Sequence, residues 1–195
     1  MHEPKPLTYT SLEGLSERQL KEHHDVLYTG YVKKINEIDE KVKTADKSVA
    51  NATYSEFGEL KREESFALNG VKLHEGYFEN MNNTPAAISG KIKELIERDF
   101  GSYAAWEEEF KATGIAGRGW VVLGYDLDEK HLRTILCDAH NHGGIWNMVA
   151  LLVMDIYEHA YFIDYGTGRK GYIESFFKHI DWNEINTRVE KYNII

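Results

Sequence analysis

Met148-Val149-Ala150-Leu151-Leu152-Val153-Met154 is followed at once by Asp155. A run this apolar has to be buried, as a strand or as a buried helix segment. The carboxylate at its end therefore lies where water is scarce. A buried charge must be paired, hydrogen-bonded or bound to a metal, so any fold of this chain has to bring a partner to that point. His159, four residues further on, is within reach if the chain turns helical there. His23 and His74 lie on apolar helical stripes far upstream. Three imidazoles and one carboxylate form a mixed nitrogen and oxygen donor set that suits a first-row transition metal. A plain Asp–His hydrogen bond without metal is the other reading, and spacing alone favours it.

The stripes themselves are long. Leu20, His23, Leu27, Tyr31, Ile35, Ile38 and Val42 recur every three or four residues, which predicts one amphipathic helix over 16–44 with Ser16 as its cap. The polar stretch Thr44–Ala52 breaks the pattern. A second helix over 54–81 carries Phe66, Gly70, His74, Tyr77 and Met81 on one face, and the two form an antiparallel hairpin. The turn cluster Asn82-Asn83-Thr84-Pro85 marks a boundary, dividing the chain into a helical unit, 1–84, and a second unit, 85–195. In the second unit, short helices over 92–100 and from Ser102 to about Gly114 precede two β-rich stretches, 120–125 and 132–137, joined by a hairpin turn. The 148–154 run is a third strand, and helices follow at 159–165, 170–180 and 181–192. The predicted fold class is α+β: an antiparallel helical hairpin, then a small three-stranded antiparallel sheet with surrounding helices.

Composition narrows the function. A chain of 195 residues can bury a sizeable core, and its net charge of −9 argues against a nucleic-acid partner, which needs a basic face. No apolar run approaches bilayer-spanning length, so no membrane partner is expected. The start, Met1-His2-Glu3-Pro4-Lys5, lacks a basic residue followed by an apolar stretch and does not resemble a signal peptide. The single cysteine, Cys137, cannot form an internal disulfide and reads as a small buried hydrophobe in a strand; with it goes an expected cytoplasmic location.

Two histidines on facing helices, added to the Asp155/His159 pair, shift the balance toward a metal, and here the chain resembles a known family. Asp155-Ile156-Tyr157-Glu158-His159-Ala160-Tyr161-Phe162 is similar to the DxWEHAYY motif of the iron/manganese superoxide dismutases. His23 through Tyr31-Val32 and His74-Glu75-Gly76-Tyr77-Phe78-Glu79-Asn80 resemble that family's two ligand helices. Phe100-Gly101-Ser102-Tyr103 and Gly117-Arg118-Gly119-Trp120 match two further segments, so the likeness covers nearly the whole chain. It implies one Fe or Mn ion per chain held by His23, His74, Asp155 and His159 between the two units, with solvent as a fifth ligand. It also implies the conversion of two superoxide anions to O2 and H2O2 as the metal cycles between +3 and +2. Tyr31 would be the gateway tyrosine and Trp120 a pocket wall. Glu158 would bond the ligand histidine of a partner chain in a homodimer, with a tetramer of two dimers as the larger option. Arg169 would supply positive potential near the channel, which matters for an anionic substrate approaching an acidic protein.

Several residues depart from the family. The solvent-bonding glutamine comes from one of two positions; here these are Gly70, which has no side chain, and His140, which becomes the candidate solvent partner. His142 reads as a polar loop residue. Leu27 and Phe162 stand where the family bridges two chains through a histidine and a tyrosine, so one polar bridge is replaced at both ends by apolar side chains. Tyr157 and Phe78 replace tryptophans, which would loosen the pocket wall. Val153, two residues before Asp155, leans the metal toward iron, because glycine there accompanies manganese in the family. A silent fold relative serving as an interaction module, or another mononuclear non-haem metalloenzyme, are the alternatives; the retained four-residue set and the matches at Tyr31, Trp120 and Glu158 count against both.

Overall fold

The computed structural model describes residues 1–194. Ser16 caps the first helix as expected, its hydroxyl accepting from the Gln19 amide at 3.1 Å. The helix runs as α1 (Glu17–Lys21), widens into a π-helical stretch (Glu22–Tyr28) and continues as α2 (Thr29–Thr44). The widening corrects the expected stripe. Buried positions run Leu20, His23, His24, Tyr28, Val32, Ile35 and Ile38, while Leu27 and Tyr31 are only half-buried. A wide turn takes up one extra residue, so the faces before and after it fall out of the 3.6 period; such turns are frequent at functional sites.

The helix α3 (Glu56–Glu79), capped by Ser55, runs back against α2. Past its end the Asn82–Pro85 turn is tied to distant chain: Met81 bridges Ile180, and the Asn82 amide donates to the His179 carbonyl at 2.9 Å. Two helices follow, α4 (Gly90–Phe100) and α5 (Tyr103–Ala116). Gly101, at φ +82°, makes the sharp reversal between them in a conformation that strains a residue with a Cβ.

The sheet has order β2-β1-β3, with β1 (Trp120–Asp126) central and antiparallel to both β2 (His131–Cys137) and β3 (Met148–Asp155). Every residue of β1 is buried, as befits a strand covered on both faces. The outer edge of β3 is not left bare. The Asn80 side chain accepts from the Val153 amide at 2.7 Å, and the Arg188 guanidinium donates to the Leu151 carbonyl at 2.9 Å. Side chains thus take the places of a fourth strand. The expected single helix over 159–165 is broken: a 3-10 turn, Glu158–Ala160, precedes a four-residue α6 (Phe162–Tyr165). The last helices are α7 (Arg169–Phe177) and α8 (Trp182–Lys191), the latter capped by Asp181.

Candidate metal centre

The register of the sheet sets the first ligand. Asp155 ends β3 opposite Trp120, and directly opposed antiparallel residues share a face. One carboxylate oxygen, Oδ1, is used by the chain itself, accepting from the Tyr157 amide at 2.9 Å. The other, Oδ2, is the meeting point: it lies 3.0 Å from His23 Nε2, 3.0 Å from His159 Nε2 and 3.7 Å from His74 Nε2. The four donor atoms all fall within 4.8 Å of one another. The structure therefore brings together all four residues expected from the sequence, two from the helical hairpin and two from the sheet end.

The donor chemistry fits a cation. His74 Nδ1 donates to the Gly70 carbonyl at 2.6 Å. That bond fixes the tautomer, so Nε2 carries a bare lone pair. This lone pair is buried, faces the Asp155 carboxylate and has no hydrogen-bond partner among the described residues. Two acceptors pointing at one another without a proton between them are unfavourable; a metal ion at their focus relieves both. Burial pushes the His74 imidazole well below its ordinary value, with the neighbouring His23 adding to the effect, and burial likewise lowers His23. Burial alone would raise Asp155. The charge and hydrogen bond of His159, then those of His23, outweigh it and hold the carboxyl well below the usual range. Burial thus disfavours the charged form of His23 and His74 beside an ionised Asp155, the protonation states that metal binding requires of these ligands.

Around the four residues the walls are aromatic. Phe78 meets the His23 ring edge-on at 4.9 Å, and Tyr157 stacks on His159 at 5.0 Å and 17°. The Tyr172 hydroxyl donates to the Asp155 carbonyl at 2.6 Å and lies 3.1 Å from the Tyr77 hydroxyl, anchoring the strand end from behind. Val153 packs on the helix that carries His74: a Cβ added to Gly76 would sit 3.0 Å from its Cγ2.

His140 lies beside this group, buried in the β2–β3 loop. Its Nδ1 accepts from the Trp120 indole at 2.9 Å. The proton is thereby left on Nε2, which has no protein partner among the described residues. Its ring lies 5.8 Å from His74, 4.7 Å from Tyr31 and 4.5 Å from Phe66. Burial lowers the imidazole to about 4, so it is neutral near pH 7. Gly70 is the counterpart of this placement: a Cβ there would come within 2.9 Å of the Tyr31 ring and 3.3 Å of His140 Cδ2. The Tyr31 ring packs 5.4 Å from His74, and burial, aided by Tyr157 and Asp155, pushes its hydroxyl up to about 12. The loop is held by Gly143 at φ +105°, where a Cβ would strike the Leu136 carbonyl at 2.4 Å. His142 is exposed, as a polar loop residue should be.

Glu158 and Phe162 are exposed beside His159, and Arg169 is held apart, donating to the Tyr161 hydroxyl at 3.0 Å and to the Gly117 carbonyl at 2.6 Å. Three contributors were not singled out from the sequence. Tyr172 and Gln19 are ordinary members of helical segments there, and the role of Asn80 at the sheet edge depends on a tertiary contact. The one sequence signal for Gln19 is that it stands one helical turn before His23.

Residues 88–188 match the profile of the iron/manganese superoxide dismutases, C-terminal domain. Over 97% of this chain and 91% of the relative, the sequence is 44% identical to superoxide dismutase [Fe] of Aquifex pyrophilus. It is equally similar, 44%, to superoxide dismutase [Fe] of Aquifex aeolicus, over 93% of this chain and 87% of that protein. Identity is 36% to superoxide dismutase [Mn] 2 of Haloferax volcanii, over 97% of this chain and 94% of the relative. The chain belongs to the iron/manganese superoxide dismutase family.

Proposed function

We propose that this superoxide dismutase holds one iron or manganese ion per chain through His23, His74, Asp155 and His159. The observation that carries the assignment is the buried, tautomer-fixed lone pair of His74 aimed at the Asp155 carboxylate. Held by these four residues, an iron or manganese ion would supply the one-electron chemistry by which one superoxide is oxidised to O2 and a second, with two protons, is reduced to H2O2. The chain's own residues do the rest. Asp155 contributes the one negative charge among the ligands. Neutral His140, its tautomer set by Trp120, presents an N–H toward solvent at the centre. The Tyr31 hydroxyl, pushed up to about 12, keeps its proton near pH 7 and can donate at the mouth of the site. Phe78, Tyr157 and Trp120 keep bulk water away.

Iron is the favoured metal, on the ground of Val153 against Gly76 and of the iron-named relatives at 44% identity. The working form is a homodimer, with pairing of two dimers as the larger option. Supporting it, Glu158 is exposed next to His159, and Phe162 and Ile163 leave apolar surface beside them. Glu158 would accept from the partner's ligand imidazole and fix that ring, while Phe162 would meet apolar surface near Leu27. Arg169 supports the segment through Tyr161 and adds positive charge on that side. The units 1–84 and 85–195 are the natural division, since the ligands come two from each. A cytoplasmic location fits the single, buried Cys137, whose thiol burial pushes up to about 11. Metal analysis together with a superoxide assay tests the assignment. Expected are close to one Fe or Mn per chain and dismutation that is lost on chelation; zinc alone, or metal-loaded protein without activity, would overturn it.

A further inference from the structure

Gln19 is fully buried on α1, and its side chain bonds backbone groups rather than the metal donors. Its side-chain amide nitrogen donates to the His159 carbonyl at 2.6 Å, and its side-chain oxygen accepts from the Ile163 amide at 3.1 Å. His159 and Ile163 are four residues apart, so these two groups are the pair that an unbroken α-helix would join directly. The carboxamide of Gln19 stands between them and serves both, as an inserted peptide unit would. Side chains that enter the i to i−4 ladder are a recognised cause of helix breaks. This accounts for the split into the 3-10 turn Glu158–Ala160 and α6, with Tyr161 between them at φ −147°, ψ −11°. A second tie lies nearby, the Ser16 amide donating to Asp164 Oδ2 at 2.7 Å.

We infer that Gln19 is a positioning residue for the metal centre: its carboxamide splits the helix after Asp155 and so sets the backbone from which His159 projects. Gln19 stands four residues before His23, so one helical turn both supplies a ligand and orients another. Matching a primary amide to one carbonyl and one N–H requires glutamine chemistry at this length. Methionine keeps the bulk and makes neither bond; glutamate keeps the acceptor for Ile163 but turns an oxygen toward the His159 carbonyl.

The inference rests on the four-ligand metal reading, and the test separates the two. Iron-loaded wild type, Q19M, Q19E and a core truncation on α8, V189A, are compared for chelator release of iron, for the low-temperature EPR spectrum of the ferric protein and for Tm. Q19M and Q19E are expected to release iron about tenfold to a hundredfold faster and to shift the EPR spectrum. V189A should lower Tm and leave the spectrum unchanged. A Q19M with the wild-type spectrum and release rate, or with release that merely follows Tm as in V189A, overturns the inference. Should Q19M not fold, Q19E decides by the same two readouts. A wild type that holds neither iron nor manganese breaks the metal reading itself.

Discussion

His23 and His74 reach the centre in a different way from His159. The first two project from long helices and are sealed, their side chains 0% exposed. His159 projects from a three-residue turn and stays 26% exposed. On the helical side the ligand geometry is held by backbone periodicity and local bonds, such as His74 to the Gly70 carbonyl. On the other side it is held by a side chain arriving from elsewhere, Gln19 on the His159 carbonyl, with the neighbouring Tyr157 stacked on the ring. The sealed half sets which donors are present. The roles proposed for Glu158 and His140 fall in the open half.

Asp155 joins the two halves, so removing it should break the comparison altogether. Asp155→Ala leaves three imidazoles around no anion and strands the Tyr157 amide. Bound metal should fall to below about a tenth of an ion per chain, read by elemental analysis. Replacing His140 attacks the open half without touching a ligand. His140→Ala should keep its metal and lose about tenfold to a hundredfold in activity, while His140→Gln keeps more and shifts the ratio of iron- to manganese-supported rates. Wild-type rates in His140→Ala with either metal would show that the residue is only part of a loop. Glu158→Ala probes the surface beside His159. It should weaken the proposed dimer by more than about tenfold in sedimentation and speed metal loss, and a wild type that sediments as a monomer at micromolar concentration would remove its basis.

The smallest effect concerns acid. His140 is lowered from 6.5 to about 4 by burial, so between those values the unfolded chain takes up a proton that the folded chain does not. The group favours the fold above pH 6.5, and this contribution is lost as pH falls toward 4. Metal-free His140→Gln should therefore lose less stability than metal-free wild type across that window in denaturant titrations. Equal pH dependence of the two would contradict the lowered value.

The helical hairpin, the three strands and the four donor residues are legible in the sequence because each rests on periodicity or on a buried charge that needs partners. Ser16 as a cap, Asp155 at the strand end and His142 as a surface loop residue follow from local chemistry alone. Three features are not legible, and for one reason. The break after Ala160, the covered edge of β3 and the Gly117 partner of Arg169 all depend on groups distant in sequence. The break needs Gln19, the edge of β3 needs Asn80 and Arg188, and Arg169 is fixed by Tyr161 and Gly117. Periodicity carries no record of a side chain from another segment entering a backbone ladder.

The wide turn from Glu22 to Tyr28 makes the first helix two cylinders with independent phase. In a regular helix each residue advances the face by about 100°. Deleting one residue within the turn would restore regular winding and leave the cap at Ser16 intact. It would also swing the upstream face by that angle against the downstream one. His23 would then leave the carboxylate and Gln19 the His159 and Ile163 backbone together, while Val32, Ile35 and Ile38 kept their places in the core. The extra residue is thus a fixed angular offset between the half of the helix that folds the protein and the half that addresses the metal.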